Sequence, residues 1–291
     1  MKRREFIGRA AAGAGALWLG LKPSAWGSPS AKPTGGRFQA ADMVTLGSTG
    51  IKTSRLACGT GTVGSGHHSH QTALGIQGLS DLLLQGYDHG LRFFDTADSY
   101  GSHPHVAAAL KQVPRDKVTV LTKSWSRDGN GIRADLDRFR KELGTDYLDI
   151  CLMHCLTEGD WTDRYRSAMD ALEEARQKGI IRAHGCSCHS IEALRAAAKS
   201  DWVQVDLARV NPIGSHMDAD PDTVVSVLRE MKARGKAVIG MKILGQGDMR
   251  SKVDEALHYA LSLGMLDAFT IGAESRSEQL DLINRIGSVT V

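Results

Sequence analysis

The sequence has little of several things, and each shortage excludes something. It carries 36 lysines and arginines against 33 acidic residues, a net charge of only +3. That leaves no case for a nucleic-acid binder. No apolar run is long enough for a stable membrane span in the mature protein. There is no C-x-x-C, and the cysteines number five. Cys58, Cys151, Cys155, Cys186 and Cys188 are expected to be buried free thiols. Cys186-x-Cys188-His189 lacks the ligand spacing of a zinc site, so no metal is expected. No internal repeat is visible. What remains is ordinary for a globular chain, at 42% hydrophobic and 24% charged residues. The 291 residues suffice for one large α/β barrel or two small domains. The 32 glycines are what many βα turns would require.

Residues Met1–Ala31 stand apart. Lys2-Arg3-Arg4-Glu5-Phe6-Ile7 puts two arginines before an apolar pair, and Gly8–Leu21 is a mildly apolar, Ala/Gly-rich stretch. Lys22 follows, then Ala25-Trp26-Gly27 with small residues where a signal peptidase reads. This resembles a twin-arginine export signal. It implies the twin-arginine export machinery as a partner of the precursor and a periplasmic or exported mature protein. The other reading is a basic, unstructured N-terminus. The expected organisation is a signal segment over 1–31, a linker over 32–42 and one domain over 43–291.

Within that domain, Met43–Leu56 has two short β runs around the turn Ser48-Thr49-Gly50. Strands are expected at Leu56–Gly59, Arg92–Asp95, Val118–Thr122, Tyr147–Met153, Arg182–Ser187, Trp202–Asp206, Ala237–Met241 and Ala268–Ile271. Helical segments are expected at 72–89, 131–143, 165–178, 191–199, 221–234, 252–262 and 277–286. Eight βα units predict a parallel sheet closed into a barrel with helices outside. The small-residue end Gly59-Thr60-Gly61-Thr62 would let a flat ring approach the backbone. His67, His68 and His70 are expected to form a solvated loop or pocket rim rather than a metal site.

The stretch R-F-F-D-T-A-D-S-Y-G sets Asp95 at a strand end and Tyr100 five residues on. The next two strands stop at Lys123 and His154. In a parallel barrel those ends face one mouth, where the active site lies. Singly each has a bland reading: a helix-capping Asp, a packing Tyr, a surface Lys, a core His.

Three segments change the balance: F-F-D-T-A-D-S-Y-G (93–101), L-T-K (121–123) and L-G-T-D-Y-L-D-I-C-L-M-H (143–154). With them the chain resembles the aldo-keto reductases, over roughly Met43 to Ile286. The resemblance implies a TIM (β/α)8 barrel with an N-terminal β-hairpin closing its bottom. It implies an NADP- or NAD-dependent oxidoreductase that reduces a small carbonyl or sugar-like substrate to an alcohol, or the reverse. Tyr100 would donate the proton, with its pKa lowered by Lys123. Asp95 would keep Lys123 charged, and His154 would hydrogen-bond the substrate oxygen. Family cofactor contacts fall at the barrel mouth. They correspond to Gly59 and Thr60, Ser187, Gln204 for the nicotinamide carboxamide, Leu244, Gly245 and Gly247 over the pyrophosphate, and Gly272, Ser275 and Gln279 at the adenosine end.

The chain departs from the pattern in three places. The tyrosine that the family often has just before Asn211-Pro212, able to stack on the ring, is absent. Cys188 replaces an amide-bearing Asn, and a thiol is a poor substitute for one. Arg276, Glu278 and Leu282 stand where the family often has a 2′-phosphate arginine and a later Glu-Asn pair, which leaves NADP against NAD open. Trp125 and Trp161 are expected to line the substrate pocket. The alternative reading is a barrel with lost or altered nicotinamide binding that acts as a ligand or metal carrier. Cys188 and the His67–His70 loop motivate it.

Overall fold

A computed structural model describes residues 37–291. The expected signal segment over 1–31 and most of the expected linker lie outside the described residues. Arg37 to Asp42 are docked on the barrel domain. Arg37 bridges Thr290, Ala40 is buried, and Asp42 accepts from the Arg55 side chain at 3.3 Å.

The first elements are a hairpin, β1 (Met43–Thr45) and β2 (Lys52–Ser54), paired antiparallel. Its turn drives Leu46 and Ile51 into the barrel interior, where they join Ala57, Phe93, Leu121, Ile150, Val205 and Ala237. The turn presses so close that a Cβ on Gly47 (φ +47°) would lie 2.4 Å from the Ala237 nitrogen. The hairpin therefore plugs the bottom, as expected.

Eight parallel strands follow: β3 (Leu56–Gly59), β4 (Phe93–Asp95), β5 (Thr119–Ser124), β6 (Leu148–Leu156), β7 (Ile181–Cys188), β8 (Val205–Arg209), β9 (Ala237–Met241) and β10 (Ala268–Ile271). They pair in sequence order, and β10 pairs with β3 to close the barrel. The outer layer holds α1 (Gly75–Asp88), α2 (His103–Leu110), α3 (Gly129–Leu143), α4 (Trp161–Arg164), α5 (Arg166–Gln177), α6 (Ile191–Lys199), α7 (Pro221–Ala233), α8 (Val253–Ser262) and α9 (Arg276–Ser288). Among the described residues no helix is long and apolar enough to cross a membrane.

Strand alternation sorts the side chains into two cores. On β5 and β6, Leu121, Ile150 and Leu152 point inward, while Val120, Cys151 and Met153 face the helices. Helix ends follow local rules. Asp128 caps α3 by accepting from the Asn130 and Gly131 nitrogens at 3.0 Å, and Gly144 (φ +64°) ends it.

Two elements were absent from the expectations, α2 and the short α4. One strand is shifted: β8 begins at Val205, three residues later than its apolar run suggests. Val205 is where pairing with both Gly185 and Ala237 begins. Trp202 stays outside the sheet, donating to the Met169 carbonyl at 3.1 Å and stacking on His184. At this junction a Cβ on Gly185 would lie 1.8 Å from the Val205 carbonyl oxygen. Gly185→Ala is therefore expected to destabilise the barrel by about 1–3 kcal/mol, read as a lower urea midpoint. An unchanged midpoint would contradict so close an approach of β7 and β8.

Candidate active site

The ends of β4, β5 and β6 bring the four expected reactive side chains to one mouth. Asp95 ends β4 and Lys123 stands near the end of β5. The Lys123 ammonium is fully buried, 2.6 Å from Asp95 Oδ1 and 2.8 Å from the Thr96 carbonyl. The other Asp95 oxygen accepts from Thr270 Oγ1 at 2.9 Å. Burial pushes the ammonium's pKa down, but Asp95 and then Tyr100 outweigh it, so Lys123 stays charged.

Thr60 serves this pair. Its backbone nitrogen (3.0 Å) and its hydroxyl (2.9 Å) both meet the Asp95 carbonyl, and the hydroxyl also meets Ser102. Thr60 thus belongs to the Asp95 support rather than to a cofactor surface.

Tyr100 closes a single 3₁₀ turn that starts at Asp98. Arg138 clamps that turn through both Asp98 oxygens, at 2.7 and 2.9 Å. The Tyr100 ring centre lies 4.7 Å from the Lys123 ammonium and 5.7 Å from the His154 ring, edge-on. A Cβ on Gly61 or Gly64 would meet the ring at 2.2 or 2.3 Å. The flat ring that this glycine-rich end admits is therefore Tyr100 itself. Gly59-Thr60-Gly61-Thr62-Val63-Gly64 spells G-x-G-x-x-G, a match absent from the expectations above. No helix opens on it, since α1 starts only at Gly75. Gly59 instead lets β3 close on β10, where a Cβ would lie 2.8 Å from Thr270 Oγ1.

The electrostatics correct one expectation. Burial raises the Tyr100 phenol, Lys123 pulls it back down, and Asp95 raises it again; the net direction is up. Lys123 acts in the anticipated sense, but Asp95 opposes it and desolvation wins. His154 is held well below the usual histidine range by burial and then by Lys123, so its ring is neutral. His154 Nδ1 is buried without a partner among the described residues. Trp125, 48% exposed, packs on this ring at 5.1 Å. Trp161 does not line the mouth. It is fully buried between helices, donating to the Ala193 carbonyl at 3.2 Å.

The expected cofactor residues divide. Ser187 is buried near the end of β7, and its hydroxyl accepts from the Cys155 nitrogen at 3.0 Å. Gln204 lies before β8, at the N-terminal end away from the mouth. Its side-chain oxygen accepts from the His184 nitrogen at 3.2 Å, at the barrel end opposite Asp95, Tyr100, Lys123 and His154. The shift of β8 moved it there. Leu244, Gly245 and Gly247 form the loop after β9, where Gly247 (φ +111°) faces open space. The Gly245 and Gly247 nitrogens already donate to the Lys242 and Leu244 carbonyls. A Cβ on Gly272 would strike Thr62 and Gln71. Ser275 caps α9, accepting from the Glu278 nitrogen at 3.2 Å. Gln279 is buried between α1 and α9, accepting from Gln85 at 3.1 Å and donating to Cys58. It faces no ligand.

Residues not anticipated also reach the mouth. Cys155 sits at an irregularity in β6 with φ +58°, its sulfur 2.9 Å from His189 Nδ1. Burial, Arg209, Lys242 and Lys123 together hold His189 down at about 4. Arg209 and Lys242 lie at or just after strand ends, the same signal that marked Lys123. His70 pairs with Glu274 at 2.7 Å. Among the described residues, His67, His68 and His70 do not converge on a common ligand point.

The Aldo/keto reductase family model matches residues 55–265. An NADH-specific methylglyoxal reductase of Escherichia coli (strain K12) is 29% identical over 167 residues, covering 50% of this chain and 51% of that protein. A D-threo-aldose 1-dehydrogenase of a Pseudomonas species is 24% identical over 199 residues, covering 57% and 59%. The chain thus spans about half the length of these curated relatives. The solved holo form of an aldo-keto reductase from Bacillus halodurans superposes with a TM-score of 0.70 at 17% identity, covering 84% of this chain and 91% of that one. That likeness is one of fold.

The Asp95–Lys123 geometry yields a stability cycle. Lys123→Met strands a buried carboxylate and is expected to cost about 3–5 kcal/mol in urea unfolding. Adding Asp95→Asn to that variant should recover much of the loss. Additive losses would contradict direct coupling.

Proposed function

We propose, because this chain belongs to the aldo/keto reductase family, that it is an oxidoreductase reducing a small aldehyde, ketone or sugar-like carbonyl with a reduced nicotinamide cofactor. The observation that carries this is the buried Lys123–Asp95 pair beside the Tyr100 ring, with a neutral His154 facing it. When bound, the cofactor supplies the hydride.

Every proton step falls to the chain. The Tyr100 O–H donates to the oxygen that becomes an alcohol. Lys123 stabilises the phenolate left behind, and Asp95 holds Lys123 in place against Thr96. His154 hydrogen-bonds the carbonyl oxygen as charge grows on it. Gly61 and Gly64 fix the phenol's position, so little reorganisation accompanies transfer.

A nicotinamide would sit at the mouth near Ser187, with its phosphates beside Lys242 and the loop through Gly247, while Arg209 is already paired with Asp218. The adenosine end supports NADH over NADPH. Glu274 and Glu278 stand at the start of α9, and the Arg276 guanidinium is held by Gln85 at 2.5 Å. A 2′-phosphate would meet the Glu274 and Glu278 carboxylates beside a guanidinium whose Nε is turned to Gln85. A second reading, a barrel that binds without turnover, draws on Gln204 and Gln279 being engaged inside the fold.

Tyr100→Phe should lower kcat/KM for methylglyoxal reduction by about 100-fold or more while circular dichroism stays unchanged. Full activity in that variant would refute the assignment, and no turnover in the parent protein would favour the second reading. In the active protein, kcat/KM with NADH should exceed that with NADPH by about tenfold, a difference near 1.4 kcal/mol. The opposite preference would contradict the role assigned to Glu274 and Glu278.

A further inference from the structure

We propose that Cys186, Cys188 and Asp206 form a site for one thiophilic divalent cation, Zn(II) by preference, on the helix-facing side of the barrel wall. Residues two apart on a strand share a face, so both β7 thiols point the same way. Asp206 is the cross-strand partner of Cys186 on β8. The inward residues of this pairing are Gly185 and Val205, so the three ligand atoms lie outside the barrel, behind the mouth.

The distances have the shape of a coordination site. The two sulfurs are 3.9 Å apart, and Asp206 Oδ1 lies 3.4 Å from one and 4.0 Å from the other. A point equidistant from three atoms so spaced is about 2.2 Å from each, close to metal–thiolate bonds of about 2.3 Å and metal–carboxylate bonds of about 2.0–2.2 Å. All three residues are fully buried.

An independent observation points to a missing ligand. Asp206 Oδ2 is buried with no hydrogen-bond partner among the described residues. No side-chain cation among the described residues bonds this carboxylate. The nearby Lys236 gives its ammonium to the Ser200 and Val203 carbonyls. Buried carboxylates are usually paired or bound to metal. The plainer arrangement, two protonated thiols around one carboxyl, leaves Oδ2 unexplained. The other compact cluster, Asp98, His103 and Glu142, differs in this respect, because Arg138 already bonds both of its carboxylates. The site also has a structural consequence. Ser187 lies between the two cysteines on the opposite face, so a bound ion would brace β7 against β8 behind that hydroxyl.

The test uses the full chain, reduced and stripped of metal, then titrated with Co(II) and back-titrated with Zn(II). The expected result is one equivalent bound, with a thiolate-to-cobalt charge-transfer band that Zn(II) abolishes. The band should be lost in Cys186→Ser/Cys188→Ser and kept in His67→Gln/His68→Gln/His70→Gln. Asp206→Asn should weaken Zn(II) at least about tenfold. Should the serine variant fail to fold, zinc-edge X-ray absorption of the unaltered protein reads the ligands directly, with two sulfurs expected. Absence of binding, a shell of only nitrogen and oxygen, or a charge-transfer band surviving in the folded serine variant would overturn the proposal.

Discussion

The buried ion pair between Lys123 and Asp95 is the contact on which the mouth depends. An ammonium taken wholly out of water costs several kcal/mol unless its partners are well placed. Here three strands contribute to placing them. Asp95 ends β4, Lys123 comes from β5, and Thr270 of β10 holds the second carboxylate oxygen. Thr60, following β3, fixes the Asp95 carbonyl. Removing either charge therefore disturbs the wall as well as the site, which separates this lysine from a surface residue that happens to follow a strand.

The same pair sets the behaviour of Tyr100. With Asp95 so close, Lys123 presents only part of its charge to the phenol, and desolvation leaves the phenol's pKa raised. A phenol that keeps its proton is a donor at rest. In the proposed reduction, a substrate oxygen beside His154 would accept that proton more readily as negative charge builds on it. In that proposal reduction is favoured at neutral pH; oxidation would require a phenolate, which Lys123 would stabilise.

Much of this was legible in the residues, and the parts that were not have physical reasons. Strand runs marked all eight barrel strands and helix runs most of the outer layer, α2 excepted, and Asp95, Lys123 and His154 stood at strand ends that topology brings together. Gln204 misled because Trp202-Val203-Gln204-Val205 reads as strand by composition. Pairing with Gly185 and Ala237, which no local pattern reveals, starts the strand at Val205. Gln279 resembled a ligand contact, yet tertiary packing turned it toward Gln85 and Cys58. Gly61 and Gly64 were legible as permissive but not as the seat of Tyr100, a contact across 36 residues or more of sequence. Cys186 and Cys188 were set aside on spacing; their partner Asp206 comes from the neighbouring strand, which linear spacing cannot show.

The most direct measurement is an ultraviolet pH titration of tyrosine ionisation, taken as the difference between the unaltered protein and Tyr100→Phe. A free phenol ionises at about pH 10. A folded-state value above that means the phenol holds its proton longer than in the unfolded chain, so its contribution to stability is lost as pH rises through the folded value. The expected result is a Tyr100 transition above the ordinary range. A transition near neutral pH would show that Lys123 dominates burial and Asp95, and would contradict a phenol that keeps its proton at rest.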